Sequence, residues 1–423
     1  MKGPFALRLA LVGAAALGIR LLYVLVVMDD VAPFGDGRQF HLLAEVLAQE
    51  GRYLQPFVFL ADGVEIPTAE KPPLYPAYLA LSSLLGADSY EAHRVASCLL
   101  GTAMTVVVGL LGRRLGGDRM GLVAAGIAAV YPMLVVLDGS VRSESLYALL
   151  MALVLLFAYR LIDAPGLGNA LALGFLIGLS ALTRSEALLL FPLLALPAVW
   201  RAAQERRPRL RLAALACLGL ALAAGPYQVR NLLTFDRPVA LSTNEGGLLA
   251  GANCDAAYGG ADIGSWPCFR GLQATKVFDE SDVSFRLRRE AFDYIGDHAG
   301  RVPAVMAVRV LRTWELWDTR DQAAVEVKIS ERNLRAQQAG VVSLFALALL
   351  APFGALALRR RGVALTPLVA LIVLVTVVSA LTWGTSRFRT AADISLVVLA
   401  AAALSSRGRD AMPGTPRHRG VAG

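Results

Sequence analysis

Residues 5–27, "FALRLALVGAAALGIRLLYVLVV", decide what kind of molecule this chain makes. The run is long enough to cross the roughly 30 Å hydrocarbon core of a bilayer. No small-residue cleavage site separates it from the acidic segment that follows, so it reads as a retained first helix and not as a signal peptide. Arg20 lies inside it, and a charge there is costly in lipid and must face protein or a cavity. Nine more apolar runs follow, at 92–111, 120–137, 145–161, 171–182 with its flanks, 187–200, 212–227, 340–358, 363–383 and 391–404. The expectation is an all-α polytopic membrane protein with about ten transmembrane helices.

Composition agrees. Of 423 residues, 56% are hydrophobic and 17% charged, which excludes an ordinary soluble domain. Orientation comes from the connectors. If the spans alternate, Arg113, Arg114, Arg119, Arg160, the run "RAAQERRPRLR", Arg359 to Arg361 and the Arg-rich tail all fall on one side, which is cytoplasmic by the positive-inside rule. Asp29, Asp30, Asp36, Glu45, Asp62, Glu65 and Glu70 fall on the other. Topology accounts for the net charge of +8, and no nucleic-acid partner is needed to explain it.

Two outer segments leave room for structure beyond the bilayer. The first, 29–91, opens with "FGDGRQFHLLAEVLAQEGRY" (34–53), where Phe40, Leu43, Ala44 and Leu47 recur at helical spacing behind Asp36. Asp36 followed by Gln39 is also a capping-box pattern, so spacing leaves two readings open, a helix cap or a catalytic base. A hairpin-like piece, "FVFLADGVEIP", comes next. Then "TAEKPPLYPAYLALSSLLG" sets Glu70 and Lys71 before a Pro pair that fixes the backbone, followed by a helix too short to span and suited to the interface. An aimed ammonium at a membrane face suits a phosphate; the alternative is a lysine snorkelling to headgroups.

The second outer segment, 229–335, reads as Gly- and Asn-rich loop with at most one short strand, then as interfacial helices at "ESDVSFRLRREAFDYIGDH" and "VPAVMAVRVLRTWELWD". Cys254 and Cys268 flank part of it, and a disulfide between them fits an oxidising compartment. Two unpaired thiols are the alternative, and their spacing is not that of a zinc site. Four mostly isolated histidines give a metal centre little support. Arg387 and Arg389, in "TSRFRT" at an outer helix entrance, could grip a phosphate in bidentate fashion. Arg230 is a further candidate, and for all three the alternative is an ordinary interfacial anchor.

The patches "DGRQFHLLA", "EKPPLYPAYLAL", "LGRRLGG", "LSALTRSEALLLFPLL", "GANCDAAYGG", "GSWPCF" and "WGTSRFRTAADISLVVLAA" occur in an order that resembles the GT-C glycosyltransferases. The resemblance is to the protein O-mannosyltransferase and aminoarabinose transferase superfamily, in particular its actinobacterial members. It implies Asp36 as the catalytic Asp, Glu70 as an acid shaping the acceptor side, Lys71 as a donor-phosphate contact, and Glu144, in "SVRSESLYALLMAL", as an acid near the active site. Two departures stand out. Some members carry Asp-Glu where this chain has Asp36-Gly37, and aminoarabinose transferases tend to carry Arg at the position of Gln39.

The implied activity is transfer of a mannose- or arabinose-type sugar from a polyprenyl-phosphate donor to a glycan, lipid or protein acceptor on the extracytoplasmic face of the plasma membrane. Inversion would follow from Asp36 acting as base, and no nucleotide or divalent metal would be obligatory. The domain plan is a core over 1–228 that includes the first outer loop, an outer loop over 229–335, closing helices over 336–404 and a basic cytoplasmic tail over 405–423. The rival class is a transporter or flippase of a lipid-linked substrate. It would place ionisable groups near the midplane and repeat its halves, whereas here the charges gather at the outer mouth and no repeat is visible.

Overall fold

The computed structural model describes residues 3–28, 31–268 and 279–406. Asp29, Asp30 and the basic tail from 407 lie outside the described residues. All regular structure in the described chain is helical, apart from one isolated bridge between Leu54 and Pro67.

Apolar helices occupy all ten expected places. Among the described residues, seven are long and apolar enough to cross a membrane: Pro4–Val27, Tyr90–Gly116, Glu144–Asp163, Ser185–Ala202, Arg206–Thr234, Leu334–Arg360 and Ser386–Ser406. An eighth is a broken pair, Asp118–Val130 and Pro132–Gly139, bent by 51°. The break has a local cause, since Pro132 forces the preceding Tyr131 out of the helical region, to φ −65° and ψ 113°. The remaining two, Leu167–Ala181 and Thr366–Leu381, are shorter. The count of ten is therefore seven full spans, one broken span and two short apolar helices.

Without a hydrophobic drive between helices in lipid, close approach of small residues does the packing. A Cβ at Gly174 would strike the Ala216 carbonyl, one at Gly219 the Leu171 carbonyl, and one at Gly354 the Leu399 carbonyl. Ser386–Ser406, rich in Ala, is the most enclosed of the seven, with 89% of its apolar window buried. Arg20 is fully buried and pairs with Asp138 at 2.7 Å, donating also to the Ala16 and Ala128 carbonyls. That pairing answers the cost of the charge inside the first span.

Between the first two spans, Gly35–Glu50 is the expected amphipathic helix, burying Phe40, Leu43, Ala44 and Val46. The hairpin-like piece "FVFLADGVEIP" begins as a helix, Pro56–Asp62, and the chain turns back after it so that Leu54 and Pro67 pair in one antiparallel bridge. The Gln55 side chain accepts from the Phe57 amide, Pro56 starts the turn, and Gly63 ends it in the left-handed region at φ 67°. The interfacial piece after the Pro pair is the helix Leu74–Leu84. In the second outer segment the expected helices form at Glu280–Asp297 and Val302–Thr313, while the stretch expected as loop with a short strand forms helices at Asn244–Ala252 and Asp255–Tyr258. Cys254 and Cys268 are disulfide-bonded. Buried Glu280 ties the two outer segments together, accepting from Thr68 Oγ1 at 2.7 Å, the Ala69 amide at 3.0 Å and Thr243 Oγ1 at 2.9 Å.

Candidate active site

Asp36 is not a helix cap. The N-cap of Gly35–Glu50 is Phe34, and Asp36 lies in the first turn with its carboxylate turned to other segments. Oδ1 accepts from Lys71 Nζ at 2.8 Å, and Oδ2 accepts from both Arg142 and Arg387 at 2.9 Å. Three cations from three distant parts of the chain thus converge on one carboxylate. Burial pushes the Asp36 carboxyl up, but Lys71, Arg142 and Arg387 together more than offset it and hold the group well below the usual carboxylate range.

The capping-box partner has gone elsewhere. Gln39 Nε2 donates to Glu70 Oε2 at 2.7 Å, and the amide of Phe34 is instead satisfied at 3.0 Å by Glu331, from the far end of the second outer segment. Tyr90 OH donates to the same Glu331 carboxylate at 2.6 Å. This explains the departure at Gly37: a Cβ there would come within 2.5 Å of Tyr90 OH and 2.6 Å of Glu331 Oε1. The space beside Asp36 that a second side chain would take is filled by a carboxylate supplied from 331.

Behind the cations stands a second row of acids. Arg387 Nε donates to Glu144 Oε1 at 2.7 Å, and Arg184 donates to the same oxygen at 3.0 Å and to Glu186 at 2.6 Å. Glu186 and Glu144 together raise the Arg184 guanidinium above its usual value against the opposing pull of burial. Lys71 is 8% exposed, its ammonium also 3.9 Å from Glu70, and its carbonyl accepts from Tyr53 OH at 2.9 Å. Asp36 remains 28% exposed, so the cluster opens to the outside at the carboxylate.

The structure thus brings Asp36, Glu70, Lys71, Glu144 and Arg387 into one cluster. It does not bring Arg389 or Arg230 there. Arg389 is fully buried, bonded to Asp393 at 3.1 Å and to the Thr313 carbonyl, with Glu315 at 3.6 Å. Two residues apart on the tight turn Ser386–Arg389, the two arginines point to different partners, so they do not form a two-guanidinium clamp. Arg230 holds the carbonyls of Thr68 at 2.9 Å and Tyr53 at 3.3 Å, which fixes the strand of chain leading to Lys71. Its part in the cluster is indirect.

Arg142 and Arg184 are the residues that the sequence reading did not place in the site. Their signal was available. Each of the three short outer connectors carries an arginine, in "GSVRSES", "LTRSEA" and "GTSRFRT", against the positive-inside rule. Cations on the side expected to be extracytoplasmic need a local counter-charge, and here Asp36, Glu144 and Glu186 supply it.

Residues 70–226 match the family model described as dolichyl-phosphate-mannose-protein mannosyltransferase. No curated protein matches the chain. Among solved structures, the oligosaccharyltransferase AglB of Archaeoglobus fulgidus, in complex with an inhibitory peptide and a dolichol-phosphate, is similar in fold at 14% identity with a TM-score of 0.54, covering 95% of this chain and 50% of that one. The apo form of the same enzyme gives 0.56, with 96% and 50% covered. This chain spans about half the length of that oligosaccharyltransferase. ArnT from Cupriavidus metallidurans bound to undecaprenyl phosphate gives a TM-score of 0.43 at 15% identity, with 94% and 77% covered. The family model thus matches less than half of this chain, and over nearly its whole length the chain shares the fold of that oligosaccharyltransferase.

Proposed function

We propose that this chain is a glycosyltransferase that moves a sugar from a polyprenyl-phosphate carrier to an acceptor hydroxyl at the extracytoplasmic face of the plasma membrane. The observation that carries the reading is the convergence of Lys71, Arg142 and Arg387 on Asp36. An anionic leaving group needs preorganised cations, and a base needs to stand beside them.

The arrangement poses a problem for a base, and donor binding offers the way out of it. A carboxylate held far below its usual range is a poor proton acceptor, because general-base catalysis improves as the base approaches the working pH. In the free protein Asp36 occupies the cations that a donor phosphate requires. When the phosphate arrives, Lys71 and Arg387 turn part of their charge to it, and the hold on Asp36 weakens. Binding of the donor therefore raises the basicity of Asp36 in the complex that needs it. The acceptor O–H then gives its proton to Asp36 as the oxygen attacks the anomeric carbon, the C–O bond to phosphate breaks, and polyprenyl phosphate leaves with the bonding pair. Attack opposite the leaving group inverts the anomeric centre.

Glu144 and Arg184 act one step back, holding Arg387 in line. Glu70, accepting from Gln39 and close to Lys71, faces the acceptor side. The outer segment 229–335, pinned by its disulfide and by Glu280, covers the site and selects the acceptor. The sugar is a mannose- or arabinose-type residue, and the acceptor a glycan, lipid or protein. The test is transfer by the protein in liposomes from a panel of labelled polyprenyl-phosphate sugars, with chelator present and anomeric configuration read by NMR. An inverted glycoside supports the reading; retention of configuration contradicts it, as does movement of the donor across the bilayer with no new glycoside.

A further inference from the structure

We propose that His41, Glu45 and His93 form a binding site for a divalent transition-metal ion of the zinc type, which clips the helix bearing Asp36 to the second membrane span. The chain has four histidines, and two of them meet here, with His41 Nδ1 and His93 Nδ1 3.0 Å apart. One ring nitrogen from each and one Glu45 carboxylate oxygen all lie within 4.8 Å of one another. The donors come from two elements, His41 and Glu45 four residues apart on one face of Gly35–Glu50 and His93 in the first turn of Tyr90–Gly116.

Donor type and geometry suit the ion. Zinc bonds nitrogen at about 2.0–2.1 Å, so two nitrogens on one tetrahedral ion stand roughly 3.3 Å apart. The two Nδ1 atoms need to part by only a few tenths of an ångström. Glu45 is half-buried on a flexible side chain and swings in to complete the set.

The support around the donors is what a metal ligand needs. A ligating imidazole normally gives its other N–H to an acceptor that fixes its orientation. His93 is fully buried, and its Nε2 lies 3.0 Å from Ser83 Oγ, which in turn donates to Glu45 Oε1 at 2.6 Å. With Nε2 as the donor to Ser83, His93 Nδ1 carries a lone pair aimed at His41. In the ion-free state His41 Nδ1–H donates to that lone pair; with the ion bound the His41 proton sits on Nε2, the ring stays neutral, and both Nδ1 lone pairs face the ion. His41 also packs edge-on against Tyr90, whose hydroxyl holds Glu331, so the clip adjoins the contact that braces the start of the Asp36 helix. His41 stands five residues past Asp36, about 140° further round the helix, and none of the three donors belongs to the machinery assigned to sugar transfer.

The test uses full-length protein carrying a purification tag without histidine, stripped with chelator and titrated with Zn²⁺, with Co²⁺ as a visible-absorption probe. The account expects one equivalent taken up, a tetrahedral Co²⁺ spectrum, and a higher thermal midpoint with the ion bound. His41→Gln and Glu45→Gln abolish stoichiometric uptake, Ser83→Ala weakens it about 10- to 100-fold, and Asp36→Asn leaves the metal affinity as it was. No uptake by folded wild-type protein overturns the proposal, as does uptake that survives both His41→Gln and Glu45→Gln or that is lost with Asp36→Asn.

Discussion

Gly37→Ala is a one-carbon change whose outcome depends on whether Glu331 reaches the Asp36 helix from almost three hundred residues away. The new Cβ would stand 2.5 Å from Tyr90 OH and 2.6 Å from Glu331 Oε1, well inside van der Waals contact. Glu331 cannot yield cheaply. It already sits in the left-handed region at φ 51°, a conformation costing on the order of 1 kcal/mol or more that persists only where contacts over-determine it. Its carboxylate answers both the Phe34 amide and Tyr90 OH. Losing one hydrogen bond to a charged group costs about 1.5–3 kcal/mol, and overpacking adds about 1–3 kcal/mol. Better helix propensity returns at most about 1 kcal/mol. The net expectation is a loss of about 2–4 kcal/mol. Thermal unfolding of the detergent-solubilised protein reads it, and a double-mutant cycle with Glu331→Ala isolates the pair, since the second change removes one of the two groups the new Cβ meets, Tyr90 OH being the other. Gly37→Ala as stable as wild type, or additive with Glu331→Ala, would refute the reasoning.

Three further outcomes follow from particular contacts. Glu280 has its carboxyl pushed up to about 7 by burial and by nearby Glu70, so the fold keeps a proton that the unfolded chain releases near pH 4.5. Its contribution is full below that value and is lost as pH rises toward 7, a difference of about 3 kcal/mol. Thermal midpoints across this window should fall with pH in wild type and fall less steeply in Glu280→Gln, the remainder coming from Glu315, also pushed up to about 7 by burial. Arg20→Ala leaves Asp138 buried and alone, and breaking such a pair costs about 3–5 kcal/mol; folded yield should drop sharply, and Arg20→Ala with Asp138→Ala should recover part of it. Arg387→Gln should weaken binding of polyprenyl phosphate in a titration, whereas Arg389→Gln should lower stability through its lost bonds to Asp393 and Thr313 without a comparable effect on the phosphate.

The sequence made the membrane spans readable because bilayer thickness imposes a length and lipid forbids unpaired charge. Spacing alone leaves Asp36 and Lys71 with two readings each; it is the family resemblance that singles out Asp36, Glu70, Lys71 and Glu144 together. Local pattern failed where long-range contacts won. Asp36 and Gln39 satisfy a capping box on paper, yet three cations and Glu70 claim their side chains. "FVFLADGVEIP" reads as hairpin-like, yet the caps at Gln55 and Gly63 close a helix over Pro56–Asp62. Arg389 looks equivalent to Arg387, but a tight turn sends it inward to Asp393. Glu331 and the histidine pair were invisible because nothing in a linear sequence shows that 331 meets 34 and 90, or that 41 meets 93.

The central claim is that Asp36 accepts the proton while competing with the donor for its cations, and Asp36→Asn tests both halves at once. Donor affinity and sugar transfer are measured on the same proteoliposomes, with thermal stability alongside. The account predicts that polyprenyl-phosphate sugar binds the variant at least as tightly as wild type, because Lys71 and Arg387 are released, while transfer falls by about 10²- to 10⁴-fold. Transfer near the wild-type rate, or a donor affinity that collapses in a stably folded variant, would contradict it.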